Sequence, residues 1–578
     1  MPYPLWSAFR PALSTCRIAV LALLSATAML TPSATAQQFR AVWADSFSVG
    51  FKSTSEINAL VSRMVAGRYN VIIAEVLAYH DTTGGGHGAY WNSSIVPKAL
   101  DISGGIDPLA TLISVAHANN IEVHAWIVPW RVSNSWPPSG NALLAANPQW
   151  LMVPLASLGS GPATIGGHYT LDPGSPDAQE YLISIIRELV TNYAIDGVNL
   201  DYIRYIQTDA GYPSNSSYAR SGLKRWQTIT GNMTVPPVSG NASWNDFRRR
   251  GIDEFVRRAR AEIPSIANPR QPLRLTADLI CFGNAPANFT SSDAYNLFSN
   301  WQMWMQRGWL DAGIPMNYKR EHVSNEATWY RNWVNAAINW RYDRHMFTGQ
   351  GAYLNTKQNS VTQIAYALNA GANGAVTFAY DATADENTNG TPEADWNWYV
   401  DSPSFFSAPD VFSAPVPPTP PMPWRNPATA TEGTVWGRIV NGTTGQPVDN
   451  ASVQVGGLTA VNTDGNGFYV VTLVPATAGG TAYNVVANAA GCTQVTVSNV
   501  IAVAGGITRR DVTVCPLVPI AGDMNLDGDV NSADLNLYYF CLRGPNITFA
   551  PGNICLRGDF NTDNDVDMAD TAEFQLAY

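Results

Sequence analysis

Short apolar runs alternate with amphipathic helical patterns through most of the chain. Amphipathic segments such as 55–68 and 177–193 repeat apolar residues at helical spacing. The apolar runs between the helical patterns occupy positions 39–47, 70–78, 121–131, 197–205, 273–283, 311–319, 345–354 and 374–382. Eight strands that alternate with helices are typical of a (β/α)₈ barrel. Residues 37–412 are therefore predicted to form a TIM barrel.

The pattern changes after a proline-rich segment. Residues 413–427 read SAPVPPTPPMPWRNP, a composition that favours extended polyproline and a semi-rigid spacer, so a linker is expected at 413–433. Residues 434–517 hold short strand-like runs between Gly, Asn, Asp and Pro, without a helical pattern. They are predicted to form a small antiparallel β-sandwich. A small α-helical module with paired EF-hand-like loops is expected at 519–578.

The N-terminus has the pattern of a secretory signal peptide. Arg10 and Arg17 precede an apolar run, and residues 34–36 read Ala-Thr-Ala before Gln37, a small-residue cleavage pattern. The apolar run is too short to span a membrane comfortably, and no later run is long enough. Segment 1–36 is therefore predicted to be removed, leaving an extracellular or cell-surface protein without a membrane span.

Cysteine placement agrees with export. Cys492 and Cys515 share the predicted sandwich, and Cys541 and Cys555 share the last module, so two local disulfides are expected. Cys281 is left over and is expected to be a buried apolar residue.

The net charge of −11 argues against binding to nucleic acid, because phosphate recognition requires clustered Lys and Arg.

Two acidic segments near the C-terminus repeat one spacing of oxygen-bearing side chains. At loop positions 1, 3, 5, 7, 9 and 12 stand Asp523, Asn525, Asp527, Asp529, Asn531 and Asp534 in the first, and Asp559, Asn561, Asp563, Asp565, Asp567 and Asp570 in the second. This spacing suits Ca²⁺, a hard cation that takes six to eight oxygens. Position 6 needs a positive φ, which Gly528 and Asn564 both favour. Two Ca²⁺ ions are therefore predicted, with position 7 acting mainly through its backbone carbonyl.

These paired loops end in Asp, where a standard EF-hand has Glu, and resemble a type I dockerin across residues 522–578. The resemblance implies a cohesin-like partner, and a stand-alone calcium-stabilised tail is the alternative. Loop positions 10 and 11, at 532–533 and 568–569, match dockerin recognition residues only in part. Residues 434–517 resemble a carboxypeptidase-regulatory-like domain, through GRIVNGTTGQPVDNASVQV and TDGNGFYVVTLVPA. That resemblance implies a spacer or a weak binding module without chemistry of its own.

Candidate catalytic residues lie near the ends of the predicted strands, where barrel enzymes build their sites. Asp201 follows an apolar run, and a carboxylate is costly there unless it is used or paired. Arg204 could hold Asp201 ionised, and an ion pair of these two residues without a catalytic role is the alternative. Glycoside hydrolysis needs a second carboxyl group. Asp278 on the fifth strand ranks first for that role, and Glu75 on the second strand ranks next.

Aromatic and polar residues at several strand ends form a candidate sugar-binding set. Aromatic faces pack on sugar rings, while planar amides and guanidinium groups bind hydroxyls. The predicted substrate-binding residues are Arg40, Trp43, His124, Trp126, Arg131, Tyr202, Arg204, Asn317, Tyr318 and Tyr380. Asp45, Lys319 and Asp381 stand at the same strand ends.

Four segments, FRAVW, IEVHAWIVPWR, YAIDGVNLDYIRY and IPMNY, together resemble the glycosyl-hydrolase-like family ten barrels over residues 39–382. The resemblance implies a glycoside hydrolase that cleaves O-glycosidic bonds of a polysaccharide by carboxylate acid/base chemistry, without a catalytic cofactor. Asp201 falls on the family's presumed catalytic Asp. Glu75 and Leu77 depart from the Gln and Arg that similar sequences often carry. A peptidoglycan glycan strand is the alternative substrate, and a non-catalytic glycan-binding or scaffold protein is the alternative function.

Overall fold

The computed structural model describes residues 37–233, 236–383, 411–412, 415–515, 522–525, 530–550 and 553–578, so the predicted signal segment 1–36 lies outside the described residues. In the described part, eight parallel strands close into a barrel in the order β1-β8-β7-β6-β5-β4-β3-β2. They are β1 Phe39–Ala44, β2 Val71–Leu77, β3 Glu122–Ile127, β4 Gly197–Leu200, β5 Arg274–Leu279, β6 Ala312–Pro315, β7 His345–Gly351 and β8 Gly374–Phe378. Each strand falls within a predicted run, and the predicted TIM barrel is confirmed.

Helices cover the outside of the barrel between successive strands. The helices that lead into strands β2 to β8 are, in order, α1 Thr54–Gly67, α2 Pro108–His117, α3 Pro176–Asn192, α4 Ala242–Ser265, α5 Trp301–Gln306, α6 Ser324–Asn339 and α7 Lys357–Asn369. Further helices occur at Ala142–Ala145, Gly222–Thr230 and Asp293–Asn296, with 3₁₀ turns at Pro148–Trp150, Leu155–Ser157, Phe289–Ser291, Ala352–Leu354, Pro423–Arg425 and Ile554–Arg557. Ser, Asp or Thr side chains cap several helix starts, such as Ser175 on the N–H of Ala178.

The barrel strands are apolar almost throughout because both faces of each strand are covered. On β1, Phe39, Ala41 and Trp43 pack inside the barrel, whereas Val42 and Ala44 pack with the surrounding helices. This alternation follows from the two-residue period of a strand. A residue two positions beyond the last interior apolar side chain therefore also faces the interior, at the carboxyl end of the barrel.

A small four-stranded antiparallel sheet is inserted beyond the carboxyl ends of β3 and β4. Its strands are Arg131–Ser133, Tyr169–Leu171, Leu151–Val153 and Tyr212–Pro213. This sheet begins four residues after β3 ends, and it fixes the backbone of Arg131 next to the barrel opening.

The proline-rich segment lies along the amino-terminal end of the barrel, which corrects its predicted role as a spacer. The backbone N–H of Gln38 donates to the carbonyl of Pro418 at 3.1 Å. Arg274 donates to the carbonyl of Pro420 at 2.6 Å, and the indole N–H of Trp424 donates to Asp311 at 2.7 Å. Prolines leave carbonyls free to accept such bonds, so an extended segment can be held tightly by barrel side chains.

Residues beyond the linker form two packed sheets, as predicted. The strands are β9 Glu432–Asn441, β10 Ser452–Val455, β11 Val461–Asn462, β12 Phe468–Pro475, β13 Thr481–Asn488, β14 Val495–Ala502, β15 Ile507–Arg509 and β16 Val512–Val514. One sheet has the order β12-β9-β15, with β16 also paired to β9, and the other has the order β11-β10-β13-β14. The predicted antiparallel arrangement is corrected at one edge, because β15 and β16 both run parallel to β9.

The sandwich packs directly on helix α4 of the barrel. The guanidinium of Arg258 lies 3.3 Å from the ring centre of Phe468, and Arg225 forms an ion pair with Asp449 at 2.7 Å. Trp436 and Phe468 share a buried apolar cluster with Ala261 of α4. The interface is dense in buried arginines, so the two modules are joined by fixed contacts as well as by the linker.

The C-terminal stretch contains two short helices, α8 Ser532–Cys541 and α9 Met568–Ala577. The predicted disulfides Cys492–Cys515 and Cys541–Cys555 are both present, and Cys281 is buried with a free thiol. Within the described residues, no helix is both long enough and apolar enough to cross a membrane.

Candidate active site

A cavity of about 800 Å³ opens at the carboxyl ends of the barrel strands. Five carboxyl groups line it: Asp45, Glu75, Asp201, Asp278 and Asp381. Six aromatic side chains line it as well: Trp43, Phe47, Trp126, Tyr202, Tyr318 and Phe378. Arg131 is the one basic residue among the described lining residues. Carboxyl groups between aromatic side chains are typical of a site that binds and cleaves a sugar chain.

Strand periodicity explains why these carboxyl groups meet. On β2, Val71 and Ile73 face the barrel interior, and Glu75 is the next residue on that face. On β4 and β5, the neighbouring outward residues Leu200 and Ala277 pack with the helices, which leaves Asp201 and Asp278 inward. Because parallel strands end at one edge, these inward carboxyl groups converge on one cavity.

Asp201 is buried but well supplied with groups that favour its charged form. The backbone N–H of Tyr202, which has a left-handed φ of 50°, donates to Oδ1 of Asp201 at 2.6 Å. Burial raises the pKa of Asp201, while that N–H and the charges of Arg204 and Arg131 act against the rise. Among the described residues, Asp201 and Arg204 interact through their charges without a direct ion pair.

Asp278 lies in the same interior layer and favours its protonated form. Its Oδ2 accepts a hydrogen bond from the amide of Asn199 at 2.7 Å, and its Oδ1 is buried without a partner. Burial and the nearby charge of Asp201 raise its pKa well above the usual range. Two carboxyl groups whose environments differ in this way can act as an ionised group and a proton donor.

Glu75 approaches the cavity from the neighbouring strand and is also held protonated. Its Oε2 accepts hydrogen bonds from the backbone N–H and the hydroxyl of Ser46, at 3.0 and 2.8 Å. Burial, followed by the charge of Asp45, raises the pKa of Glu75 to about 8. Glu75 is therefore an alternative proton donor at neutral pH.

Arg131 and Tyr202 form one wall of the cavity. The guanidinium carbon of Arg131 lies 4.6 Å from the ring centre of Tyr202 and 4.4 Å from that of Tyr79. The guanidinium carbon of Arg204 also lies 4.4 Å from the ring centre of Tyr202. This stack of cations and rings places positive charge beside Asp201 and fixes an aromatic face at the cavity surface.

The structure brings most of the predicted site residues together and places five of them elsewhere. Trp43, Trp126, Arg131, Tyr202 and Tyr318 line the cavity with the three predicted catalytic carboxyls Asp201, Asp278 and Glu75. The predicted substrate-binding residues outside the lining are Arg40, His124, Arg204, Asn317 and Tyr380.

The five misplaced predictions have physical reasons. Arg40 and Asn317 fall on the outward face of their strands, and Asn317 donates to the carbonyl of Tyr330 at 2.9 Å. His124 lies too low in the barrel, where its ring meets that of Phe39 at 5.4 Å. Tyr380 instead accepts a hydrogen bond from Arg63 of α1 at 2.6 Å. Arg204, as described above, stacks behind Tyr202. Proximity to a strand end is thus insufficient without the correct face and height.

Asp45 and Asp381, which the sequence placed at strand ends without a binding or catalytic role, line the cavity together with Phe47 and Phe378, which the sequence analysis did not single out. Asp45 continues the inward face of β1 two residues after Trp43, so counting by two from the interior apolar residues identifies it. Asp381 comes after the last strand, in a turn in which Ala379 and Ala382 exchange backbone hydrogen bonds. No periodic signal marks a turn residue, and its position is set by the closure of the barrel.

The second acidic loop of the tail brings together carboxyl groups that could hold a metal ion. Oxygen atoms of Asp565, Asp567 and Asp570 lie within 4.8 Å of one another. Asn564 at position 6 has a φ of 71°, as predicted for that turn. The side chain of Asp565, at position 7, takes part in this cluster of carboxylate oxygens. In the first loop, Asp527 and Asp529 lie outside the described residues.

Comparison with known proteins assigns the barrel to a family. The family described as glycosyl hydrolase-like 10 matches residues 38–366, more than half of the chain. Glycosyl hydrolase DigH of Escherichia coli is 25% identical over 255 residues, 40% of this chain and 52% of that protein. Glycosyl hydrolase YngK of Bacillus subtilis is 25% identical over 268 residues, 43% of this chain and 46% of that protein. The chain thus spans about half the length of the curated relatives it matches.

Solved structures with a similar arrangement include the catalytic domain of β-amylase from Paenibacillus polymyxa, with a TM-score of 0.41 at 10% identity. That match covers 65% of this chain and 100% of the amylase domain. The endo-β-1,4-mannanase from Thermotoga petrophila has a TM-score of 0.37 at 12% identity, covering 82% of this chain and 99% of the mannanase.

Proposed function

The chain belongs to the glycosyl hydrolase-like 10 family, and from this premise we propose that it hydrolyses O-glycosidic bonds of a polysaccharide in the cavity at the carboxyl end of its barrel. The observation that carries the proposal is the buried pair Asp201 and Asp278 between aromatic walls. Glycoside hydrolysis requires one carboxyl group to protonate the leaving oxygen and a second to act as nucleophile or base.

In the proposed mechanism, Asp278 donates the proton and Asp201 acts as the ionised carboxylate. Asp278 keeps its proton because it is buried beside the charge of Asp201. Asp201 is favoured as the anion because Arg131, Arg204 and a backbone N–H face it. As the glycosidic bond breaks, positive charge develops on the sugar ring, and Asp201 stabilises that charge either covalently or electrostatically. Glu75 is the alternative donor.

A non-catalytic glycan-binding protein explains the aromatic walls but not this carboxyl pair. A binding site needs hydroxyl partners, and a carboxyl group buried beside another carboxylate is costly when it performs no chemistry. The pair therefore favours an enzyme over a scaffold.

Substitution of Asp201 tests this mechanism. Asp201→Asn is nearly isosteric, so the barrel should fold normally, and turnover should fall on the order of a thousandfold while sugar binding is kept. The measurement is release of soluble sugar by the purified chain from a panel of polysaccharides, including peptidoglycan glycan strands. Retention of more than about a tenth of native turnover on a confirmed substrate would contradict the assignment.

We also propose that the chain is exported and that its tail binds two Ca²⁺ ions in a dockerin-like fold, with a cohesin-like protein as its partner. The signal-like segment and the cysteine pairs support export. The close carboxyl groups of the second loop support calcium binding. A tail of this kind favours an environmental polysaccharide over peptidoglycan as the substrate. Intact mass of the secreted protein should begin near Gln37, and a mature chain that retains the segment would contradict export.

A further inference from the structure

One side of the cavity carries negative charge without a matching cation. Asp45 and Asp381, the outer acidic pair, line the cavity after the paired strands β1 and β8. Burial and then the charge of Asp381 raise the pKa of Asp45, and burial and then the charge of Asp45 raise the pKa of Glu75. Within the described part of the chain, neither member of the pair takes part in an ion pair. The basic residue Arg131 stacks on the opposite wall, beside Asp201.

The outer acidic pair also has an acceptor without a donor. Asp381 is only 7% exposed, and its Oδ1 is buried without a hydrogen-bond partner. Oδ1 of Asp45 accepts the backbone N–H groups of Phe47 and Ser48, at 2.8 and 3.0 Å, which fixes its position. An unpaired buried carboxylate oxygen is costly, so a ligand that brings donors and positive charge gains binding energy there.

We propose that the outer acidic pair binds the protonated amino group of a hexosamine unit, so that the substrate is a polysaccharide with free amino sugars. This proposal rests on the proposed function, since it assigns a substrate class to the same cavity. The mechanism described above uses Asp201 and Asp278 and leaves the outer acidic pair without a catalytic task.

An ammonium group fits this position better than a metal ion or a neutral hydroxyl. It has three donors and no acceptor, which suits the partnerless Oδ1 of Asp381 and the neighbouring carboxyl group of Asp45. Among the described residues, the cluster with oxygens close enough for a metal lies in the tail, not in the barrel. A neutral hydroxyl would leave the repulsion between Asp45 and Asp381 in place, and this repulsion helps raise the pKa of Asp45 to about 7.

The surrounding aromatic rings support the same ligand. Trp43 and Phe378 line the cavity next to the pair in sequence, with ring centres 5.9 Å apart. Phe47, in the loop that holds Asp45, is 49% exposed at the cavity edge. Aromatic faces attract cations as well as sugar rings, so an amino sugar meets a suitable surface on both counts.

The test compares two ligands that differ only in an ammonium or a hydroxyl at C2, the methyl glycosides of glucosamine and glucose. Dissociation constants for the full mature chain should favour the amino sugar by roughly tenfold or more. Asp381→Asn and Asp45→Asn, which are near-isosteric, should each bring the ratio close to one. Asp201→Asn, the matched control on the opposite side of the cavity, should keep the preference while abolishing turnover. Thermal melting confirms that each variant is folded.

Several outcomes overturn the proposal. They are a ratio near one in the native chain, no amino-sugar binding at about 10 mM, or a preference that survives both outer substitutions. A preference lost only in Asp201→Asn also overturns it. Failure of the proposed function is a separate result, because it is the absence of hydrolysis of any polysaccharide and leaves the binding ratio measurable.

Discussion

At the scale of residues, the carboxyl groups of Asp201 and Asp278 differ in their charged and polar neighbours, not in their exposure to solvent. Asp201 and Asp278 are 5% and 6% exposed, so burial alone would treat them alike. Asp201 faces a backbone donor and two arginines, whereas Asp278 faces an amide and the charge of Asp201. This difference in local charge favours Asp201 as the ionised carboxylate and Asp278 as the proton donor.

Asp278→Asn should separate protonation of the leaving group from the other steps. Without the acid, turnover of a polysaccharide should fall roughly a hundred- to ten-thousandfold, because the sugar oxygen leaves poorly unless it is protonated. Aryl glycosides with good leaving groups should lose about tenfold or less. Kinetics on both substrate types measures this difference, and equal losses would transfer the role of acid to Glu75.

Glu75 should make the stability of the barrel depend on pH. Its pKa rises from 4.5 to about 8 on folding, so between these pH values the folded chain keeps a proton that the unfolded chain has released. Stability should therefore fall as pH rises through this window. Glu75→Gln should be about equal to native at pH near 4.5 and more stable than native by on the order of 4 kcal/mol near pH 8. Melting temperatures at both pH values test this, and parallel pH curves would refute it.

At the scale of elements, the Asp that closes each acidic loop lies in the first turn of the following tail helix, where it completes a capping box. Asp570 accepts the backbone N–H groups of Asp567 and Phe560 at 2.9 and 2.7 Å, and Asp534 caps α8 in the same way. Each loop therefore shares its last three residues with the helix, and ion binding and helix formation should depend on each other.

Asp570→Ala should reduce calcium binding by the full chain from two ions to one. The substitution removes a ligand oxygen and the cap of α9 together, so helix content should fall as well. Calorimetry counts the ions, and circular dichroism follows the helix. Glu573→Ala, an exposed position on the same helix, should still bind two. Two ions in Asp570→Ala would show that the loop is assigned wrongly.

At the scale of the whole molecule, the sandwich is packed against the outside of the barrel through buried contacts on α4. Arg258 of α4 is 2% exposed, contacts Phe468 and donates to Glu262 at 2.7 Å, while Asp464 lies 3.7 Å away. Below the barrel, the linker brings Trp424 and Arg425 onto Asp311. These contacts indicate that barrel, linker and sandwich unfold together.

Arg258→Ala should test that coupling. The substitution removes the guanidinium that packs on Phe468 and lies beside Asp464, and leaves Glu262 with Arg187 alone. The melting temperature of the joint barrel and sandwich transition should therefore fall on the order of 5 °C, or the transition should divide into two. Scanning calorimetry resolves these cases. The control is Asp246→Ala on the same helix, whose side chain is 74% exposed and should change stability by less than about 1 kcal/mol. A melting curve unchanged by Arg258→Ala would show that the modules fold independently.

The sequence by itself predicted the strands, the cysteine pairing and three of the carboxyl groups that line the cavity. A barrel strand is a local apolar run, so Asp201, Asp278 and Glu75 could be placed near strand ends from the sequence, whereas the face on which each lies could not be read from strands that are apolar throughout. The disulfides followed from cysteines sharing a module.

Only the tertiary structure decided which side chains meet across strands. Asp381 joins Asp45 because closure of the barrel pairs β8 with β1, a contact between residues far apart in the sequence. Arg40 and Tyr380 were misplaced because height and face depend on where each strand starts and on how its turn folds back. The linker binds the barrel through carbonyls that any proline-rich segment would offer. Side-chain identity is local information, whereas the cavity is made by long-range packing, and no local pattern encodes that packing directly.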